Sequence, residues 1–193
     1  MVTQQPWPVV VVVSGPPAAG KTTVAQAMGQ ALGFPVLSED DIKETLMDNL
    51  AWTDRASSMA LGKAAIDLLF RWIAVEIAAK RSLIAEMNFH AHLDPPKFVA
   101  LRKRMPCRCV QVHCTAPKDV LIERYQTRAA SGARHPGHFD DATEVQGSIV
   151  ERLDQGEWAP LQIAGPLIHG DPAVWDFDRI LSELRTAIDR PED

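Results

Sequence analysis

The chain has 193 residues, of which 46% are hydrophobic, so it can bury a sizeable core but is short for two independent domains. Its formal net charge is -5. This acidic average argues against a broad basic surface that coats nucleic acid, without excluding a local basic groove. We therefore expect a single domain over residues 1–193, and a small anionic cofactor fits the composition more easily than nucleic acid does.

Neither the start of the chain nor its apolar runs resemble a targeting or membrane segment. The first eight residues carry no basic cluster, and the apolar run at residues 9–13 is far too short to cross a bilayer. Cys107, Cys109 and Cys114 lie in or beside a strand-like segment, and we interpret them as buried thiols rather than zinc ligands or a disulfide. The sequence predicts a cytoplasmic protein without membrane contact, either a monomer or a homodimer.

Predicted strands and helices alternate along the chain. Apolar and β-branched runs predict strands at residues 9–14, 34–38, 82–87, 108–114 and 167–169. Helical periodicity and capping residues predict helices at residues 22–32, 42–47, 57–80, 95–104, 117–128 and 174–188. The first strand, a continuous valine run, is expected at the centre of the sheet. This order predicts an α/β fold, a three-layer α/β/α sandwich around a five-stranded parallel sheet.

The residues after the first strand carry the most specific motif in the chain. They run Gly15-Pro16-Pro17-Ala18-Ala19-Gly20-Lys21-Thr22-Thr23 and match the pattern G-x-x-x-x-G-K-[ST] between a strand and a helix. The glycines let the backbone approach a polyphosphate, and the positive helix end favours negative charge. Lys21 is expected to reach the terminal phosphates, and the Thr22 hydroxyl to bind Mg²⁺. The motif therefore predicts a nucleoside-triphosphate site at residues 15–23.

Acidic residues follow the second predicted strand, in the run Ser38-Glu39-Asp40-Asp41-Ile42-Lys43. A carboxylate across the cleft from the terminal phosphate would accept the proton of an attacking hydroxyl, so Asp40 is the candidate base. Lys43, one helical turn later, would steady the transferred group. The alternative is that Asp40 and Asp41 only cap the following helix.

The third strand ends in the run Glu86-Met87-Asn88-Phe89-His90. Strand ends of open α/β sheets point into the ligand crevice, so Glu86 and Asn88 are candidate substrate residues. The alternative for both is a solvated strand end.

Arg124 and Arg128 are four residues apart on one predicted helix, and Arg134 follows in a segment rich in Gly, Pro and His at residues 132–141. Three guanidinium groups there predict a lid that neutralises charge on a transferred phosphoryl group. His135 and His138 are candidate substrate residues of the same segment. A shared metal ion, with Asp140 and Asp141, and an ordinary polar loop are the alternatives.

The order of these motifs resembles the small P-loop kinases of the AAA and zeta-toxin-like group, which includes the polynucleotide 5′-hydroxyl kinase domain and chloramphenicol phosphotransferase. The resemblance is carried by the loop at residues 15–22, the D-D-x-K segment at residues 40–43 and the arginine-bearing helix and loop. It covers most of the chain and implies ATP and Mg²⁺ as cofactors, Asp40 as general base and a lid at approximately residues 124–141. Lys43 stands where the polynucleotide kinase has arginine.

The leading hypothesis is a kinase that transfers the γ-phosphoryl group of ATP to a hydroxyl of a small molecule. Its predicted catalytic residues are Lys21, Asp40, Lys43, Arg124, Arg128 and Arg134. Two alternatives stay open: a polynucleotide 5′-hydroxyl kinase, and a nucleotide-binding regulatory ATPase without a phosphoryl acceptor. Nucleic acid is therefore a disfavoured partner that the sequence does not exclude.

Overall fold

A computed structural model of the protein describes residues 7–132, 134–140 and 143–190. Its five strands are β1 (Val9–Ser14), β2 (Val36–Ser38), β3 (Leu83–Glu86), β4 (Arg108–Cys114) and β5 (Leu167–Gly170). They form one sheet in the order β2-β3-β1-β4-β5, and every neighbouring pair is parallel. The predicted five-stranded parallel sheet, with the valine strand at its centre, is confirmed.

Helices cover both faces of this sheet. They are α1 (Lys21–Leu32), α2 (Glu39–Asn49), α3 (Arg55–Ala78), α4 (Pro95–Arg104), α5 (Lys118–Ser131), α6 (Thr143–Asp154) and α7 (Phe177–Asp189). One buried cluster joins the sheet to α1 and α7, and a second joins its other face to α3 and α4. The predicted three-layer sandwich is therefore confirmed.

Strand β1 divides the core into these two clusters because its side chains alternate between the faces of the sheet. Val9, Val11 and Val13 belong to the cluster under α1, whereas Val10 and Val12 belong to the cluster under α3. All five valines are almost completely buried. A strand buried on both faces reads as a continuous apolar run, which is why the sequence located β1 to the residue.

Helices α2 and α6 differ from the sequence-based expectation, and the ends of α3, α5 and α7 are shifted by up to three residues. Helix α2 begins at Glu39, so Asp40 and Asp41 lie inside its first turn, and Ser38 occupies the capping position without a side-chain cap. Helix α6 was not predicted, although Val145, Ile149 and Leu153 follow a helical spacing. The glycine at position 147 and the preceding loop-like composition obscured that pattern.

The three cysteines are buried in the core as thiols, as expected. Cys107 and Cys109 lie in the cluster under α3, and Cys114 lies in the cluster on the opposite face. Among the described residues, no helix combines the length and apolar character that crossing a membrane requires.

Gly165, in the connection before β5, is required by close packing. Its φ is +131°, and a Cβ there would lie 2.0 Å from the carbonyl oxygen of Cys109. Gly147, inside α6, has no atom within 4 Å of the corresponding position. These two glycines therefore form a matched pair for substitution.

We expect Gly165→Ala to destabilise the protein by about 2 kcal/mol or more, because the new methyl group meets backbone and φ is unfavourable. Gly147→Ala is expected to stabilise it by up to about 1 kcal/mol, because alanine is the better helix former. Urea unfolding of both variants and the parent protein measures the difference. Equal midpoints for the two variants would contradict the packing at Gly165.

Candidate functional site

The loop between β1 and α1 turns sharply away from the sheet. Gly15 has a φ of +133°, and a Cβ at this residue would lie 1.9 Å from the carbonyl oxygen of Cys114. Ala18 and Gly20 also have positive φ values, 63° and 83°. Only glycine fits at position 15, because any side chain there would collide with the backbone of β4. The loop residues 15–20 thereby reach the start of α1 in the arrangement that the motif predicts.

Lys21 is buried at the start of α1 and its ammonium group points back over the loop. Its Nζ donates to the carbonyl oxygen of Pro16 at 2.8 Å and to Oδ1 of Asn88 at 2.6 Å. Burial lowers the pKa of Lys21, while the carboxylates of Glu86 and Asp40 oppose that shift. The loop, the end of β3 and α2 therefore meet around one ammonium group.

A cavity of about 340 Å³ lies over this lysine, and we call it the P-loop cleft. Most of the predicted site residues line it: Ala18, Gly20, Lys21, Thr22, Thr23, Asp40, Glu86, Asn88, Arg124, Arg128 and Arg134. These residues come from four separate parts of the chain, and the fold brings them together around one cavity.

The Glu86 carboxyl lies at the buried end of β3. The hydroxyl of Ser38 donates to its Oε2 at 2.8 Å. Burial raises the pKa of Glu86, and the neighbouring Lys21 and the Ser38 hydrogen bond oppose that shift. Ser38 therefore holds a cleft carboxyl in place instead of capping α2.

Asp40 projects into the cleft from the first turn of α2 and forms an ion pair with Arg134. Burial alone favours the protonated carboxyl, but the charges of Arg134, His138 and Lys21 outweigh it, so the pKa of Asp40 lies below its ordinary value. Asp40 is consequently ionised at neutral pH. The contact shows that this side chain does more than begin a helix.

Lys43 lies one turn beyond Asp40 but outside the set of cleft-lining residues. It is half-buried, and burial lowers the pKa of its ammonium group. Its side chain crosses Gly62 of α3, where a Cβ would lie 3.4 Å from Cε of the lysine. Glycine at position 62 thus leaves room for Lys43 beside the acidic start of α2.

Three side chains of residues 124–132 and 134–140, which we call the lid segment, converge on the carboxylate of Asp140. The Tyr125 hydroxyl donates to Oδ1 of Asp140 at 3.0 Å, and the guanidinium groups of Arg128 and Arg134 lie 3.3 and 3.2 Å from Oδ2. The Nε of Arg128 is buried without an acceptor in the part of the chain that the structure describes. The Arg128 side chain also lines the P-loop cleft, and a guanidinium group in such a place suits an anion.

Arg124 makes a different connection from the other two arginines. Its two terminal nitrogens donate to the two carboxylate oxygens of Asp171, each at 3.1 Å. Asp171 follows β5 and precedes a short 3-10 turn at Pro172–Val174. Arg124 therefore ties α5 to the connection after β5 at the side of the cleft.

The two lid histidines face α2 rather than the cleft. His138 Nε2 lies 2.8 Å from Oε1 of Glu44, and His135 Nε2 lies 3.3 Å from Oδ1 of Asp48. With the Arg134–Asp40 pair, these contacts recur every four residues along one face of α2. In this conformation the lid segment is attached to α2 through Arg134 and the two histidines.

Close packing reinforces this attachment. The hydroxyl of Ser58 donates to the carbonyl oxygen of Gly137 at 2.7 Å, and a Cβ at Gly137 would lie 2.6 Å from the sulfur of Met47. Within the described residues, no group of three or more His, Cys, Asp or Glu side chains is arranged to hold a metal ion. Asp141, which the metal alternative included, lies outside the described residues.

Several residues of the site were not predicted. The contact of Asp140 with two arginines is visible only in the folded structure. The same holds for the places of Tyr125, Asp171 and Glu39 beside the cleft. Burial, followed by the neighbouring Asp40, raises the pKa of Glu39 to about 7. The repeat of acids at positions 40, 44 and 48 was the one signal in the sequence that indicated a charged face on α2.

Comparison with known families gives a match over most of the chain. The model of the AAA domain family AAA_33 matches residues 10–155, a range that contains the loop, Asp40 and the lid segment. An uncharacterised protein of Mycobacterium tuberculosis is 25% identical over 168 residues, which cover 80% of this chain. The chain spans only 31% of the length of that relative.

Solved structures with the same fold include several kinases. A candidate kinase from Chloroflexus aurantiacus is 36% identical, with a TM-score of 0.84 over 95% of this chain and 99% of the other. Shikimate kinase from Bacteroides thetaiotaomicron is 18% identical, with a TM-score of 0.58 over 95% of this chain and 99% of the other. That second likeness bears on the fold alone. The chain belongs to the AAA domain family AAA_33 and has the α/β fold of the P-loop kinases.

Proposed function

We propose that this protein is an ATP-dependent kinase that transfers the γ-phosphoryl group to a hydroxyl of a small molecule. The observation that carries the proposal is the placement of an ionised carboxylate, Asp40, in the same cavity as Lys21 of the loop and three arginines. A phosphoryl-transfer site needs a phosphate-binding loop, a group that receives the acceptor proton and cations for the developing charge. The P-loop cleft holds residues of all three kinds.

The loop and the start of α1 would bind the triphosphate. Lys21 would exchange its contacts with Pro16 and Asn88 for phosphate oxygens, which gives the buried ammonium group a directly bonded anion. The exposed hydroxyl of Thr22 shares the cavity with the carboxyl of Glu86, and such oxygen ligands suit Mg²⁺. When bound there, Mg²⁺ would neutralise charge on the β and γ phosphates.

In the proposed reaction, the acceptor oxygen forms a bond to the γ-phosphorus as the bond to the β–γ bridging oxygen breaks, leaving ADP. Asp40 orients the acceptor hydroxyl and takes its proton. Arg128 and Arg134, which both line the cleft, would face the equatorial oxygens of the transferred group. Arg134 must shift from Asp40 for that carboxylate to meet the acceptor.

The activity is tested by incubating the protein with ATP and Mg²⁺ and a panel of hydroxyl compounds, together with an oligonucleotide that has a free 5′-hydroxyl. Sugars, polyols, hydroxy acids and ring alcohols cover the small-molecule classes. We expect ADP release that depends on one class and a phosphorylated product in its mass spectrum. ATP binding without acceptor-stimulated ADP release would instead indicate a regulatory ATPase, and transfer to the oligonucleotide would indicate a polynucleotide kinase.

Asp40→Asn is expected to lower kcat by about 10²–10⁴-fold, because the amide cannot accept the hydroxyl proton. Asp41→Asn is the matched control, since this neighbouring carboxyl is exposed and does not line the cleft. Nucleotide affinity, measured by isothermal titration calorimetry, should be similar in both variants. A fully active Asp40→Asn protein would remove Asp40 from the proposed role.

Arg134→Gln is expected to move the acidic limb of the kcat/KM profile to higher pH, because loss of the neighbouring cation lets burial raise the pKa of Asp40. Protonation of the base then begins at a less acidic pH. Arg124→Gln serves as the control, since Arg124 pairs with Asp171 and is not among the charges that shift the pKa of Asp40. A limb that stays in place in Arg134→Gln would contradict the assignment of that limb to Asp40.

A further inference from the structure

The outward face of α3 exposes apolar side chains that the P-loop cleft does not use. Leu68, Trp72 and Val75 are 41%, 50% and 51% exposed. With the exposed Ala64 they lie on one side of the helix, at spacings of four and three residues. We call Ala64, Leu68, Trp72 and Val75 the outer face of α3. A surface tryptophan among aliphatic side chains on one helix indicates an interaction surface.

Two grooves flank this face. One, of about 490 Å³, lies between α2 and α3, and the other, of about 860 Å³, lies between α3 and α4. Leu68 and Arg71 line both grooves, so they form the ridge between them. Helices associate by placing such ridges into grooves of a partner helix. The surface offers a ridge together with the grooves that would receive a similar ridge.

The charges beside this ridge are complementary to those of a second, antiparallel copy of the same ridge. Asp67 and Arg71 are one helical turn apart, and neither makes an ion pair or hydrogen bond within the described part of the chain. When two copies of one helix pack antiparallel about a twofold axis, a residue before the axis in one copy lies opposite a residue about equally far beyond the axis in the other copy. An axis near Leu68–Arg71 brings each Asp67 to the Arg71 of the other copy.

We propose that the protein forms a homodimer in which α3 of one copy packs antiparallel against α3 of a second copy. About that axis the small Ala64 faces the larger Val75, and Leu68 faces the ridge at Arg71 and Trp72. The arrangement closes on itself, because the same surface is used twice. No residue that lines the P-loop cleft lines either groove, so each copy keeps its own site open.

The oligomeric state of the full chain tests the proposal directly. Sedimentation velocity at about 1 µM and about 100 µM is expected to show a dimer that dissociates on dilution. Leu68→Asp and Trp72→Glu are each expected to weaken the dimer by about 100-fold, as for anchor residues at an interface. Val99→Asp is the matched control: Val99 on α4 is 48% exposed but lines neither groove, and its dimer should be unchanged.

Charge reversal separates a specific interface from general stickiness. Asp67→Arg and Arg71→Asp each place like charges across the axis and should weaken the dimer by about tenfold. The double variant restores opposite charges and should recover the parent affinity. Circular dichroism establishes that each variant is folded, and these exposed positions do not contribute to the core.

A monomeric mass of the parent protein at the higher concentration overturns the proposal. The proposal is also overturned if Leu68→Asp and Val99→Asp weaken the dimer equally. It is overturned as well if the double charge-reversal variant dimerises as weakly as the single variants. These results are independent of kinase activity, since the measurement needs neither ATP nor an acceptor.

Discussion

The parallel pairing of β1 with β3 and β4 fixes the position of the groups around the P-loop cleft. Val13 lies in register with Glu86, and Ser14 lies in register with His113. Because parallel strands end at the same edge of a sheet, the loop leaves β1 beside the carboxyl of Glu86. Because β1 carries valine on both faces, its valines do not distinguish one register from the next; the polar end does, where the hydroxyl of Ser14 lies 3.3 Å from Oε1 of Gln111 and 3.1 Å from Nδ1 of His113.

The buried ammonium group of Lys21 gives the cleft a preference for anionic ligands. Neutral oxygens of Pro16 and Asn88 accept the hydrogen bonds of the ammonium group, and the nearby carboxyl of Glu86 is bonded to Ser38. Burying an ammonium group without a directly bonded anion costs free energy, which is why its pKa is lowered. A polyphosphate over the loop would supply that anion, so the geometry favours binding of phosphate groups over an empty cleft.

Sequence patterns were sufficient to predict those elements whose structure is decided by neighbouring residues. Strand β1, the loop and α1 follow from a valine run, a short motif and helical spacing, and their bounds were predicted within one residue. Helix α6 was missed because a helix with an internal glycine is stabilised by packing, here of Ile149 against Tyr125 and Trp158. The role of Asp140 was also out of reach, because two arginines meet it only after α5 and the lid segment fold together.

Arg134 links the conformation of the lid segment to the state of Asp40. It bonds to both Asp40 and Asp140, while His138 and His135 hold the same segment to Glu44 and Asp48. Phosphate oxygens form strong charge-assisted hydrogen bonds with guanidinium groups, so they can compete with the two carboxylates for Arg134. On the proposed mechanism, that competition frees the Asp40 carboxylate when Arg134 turns to the phosphates. Ligand binding and release of the base are then one equilibrium, because the same cation cannot neutralise both partners at full strength.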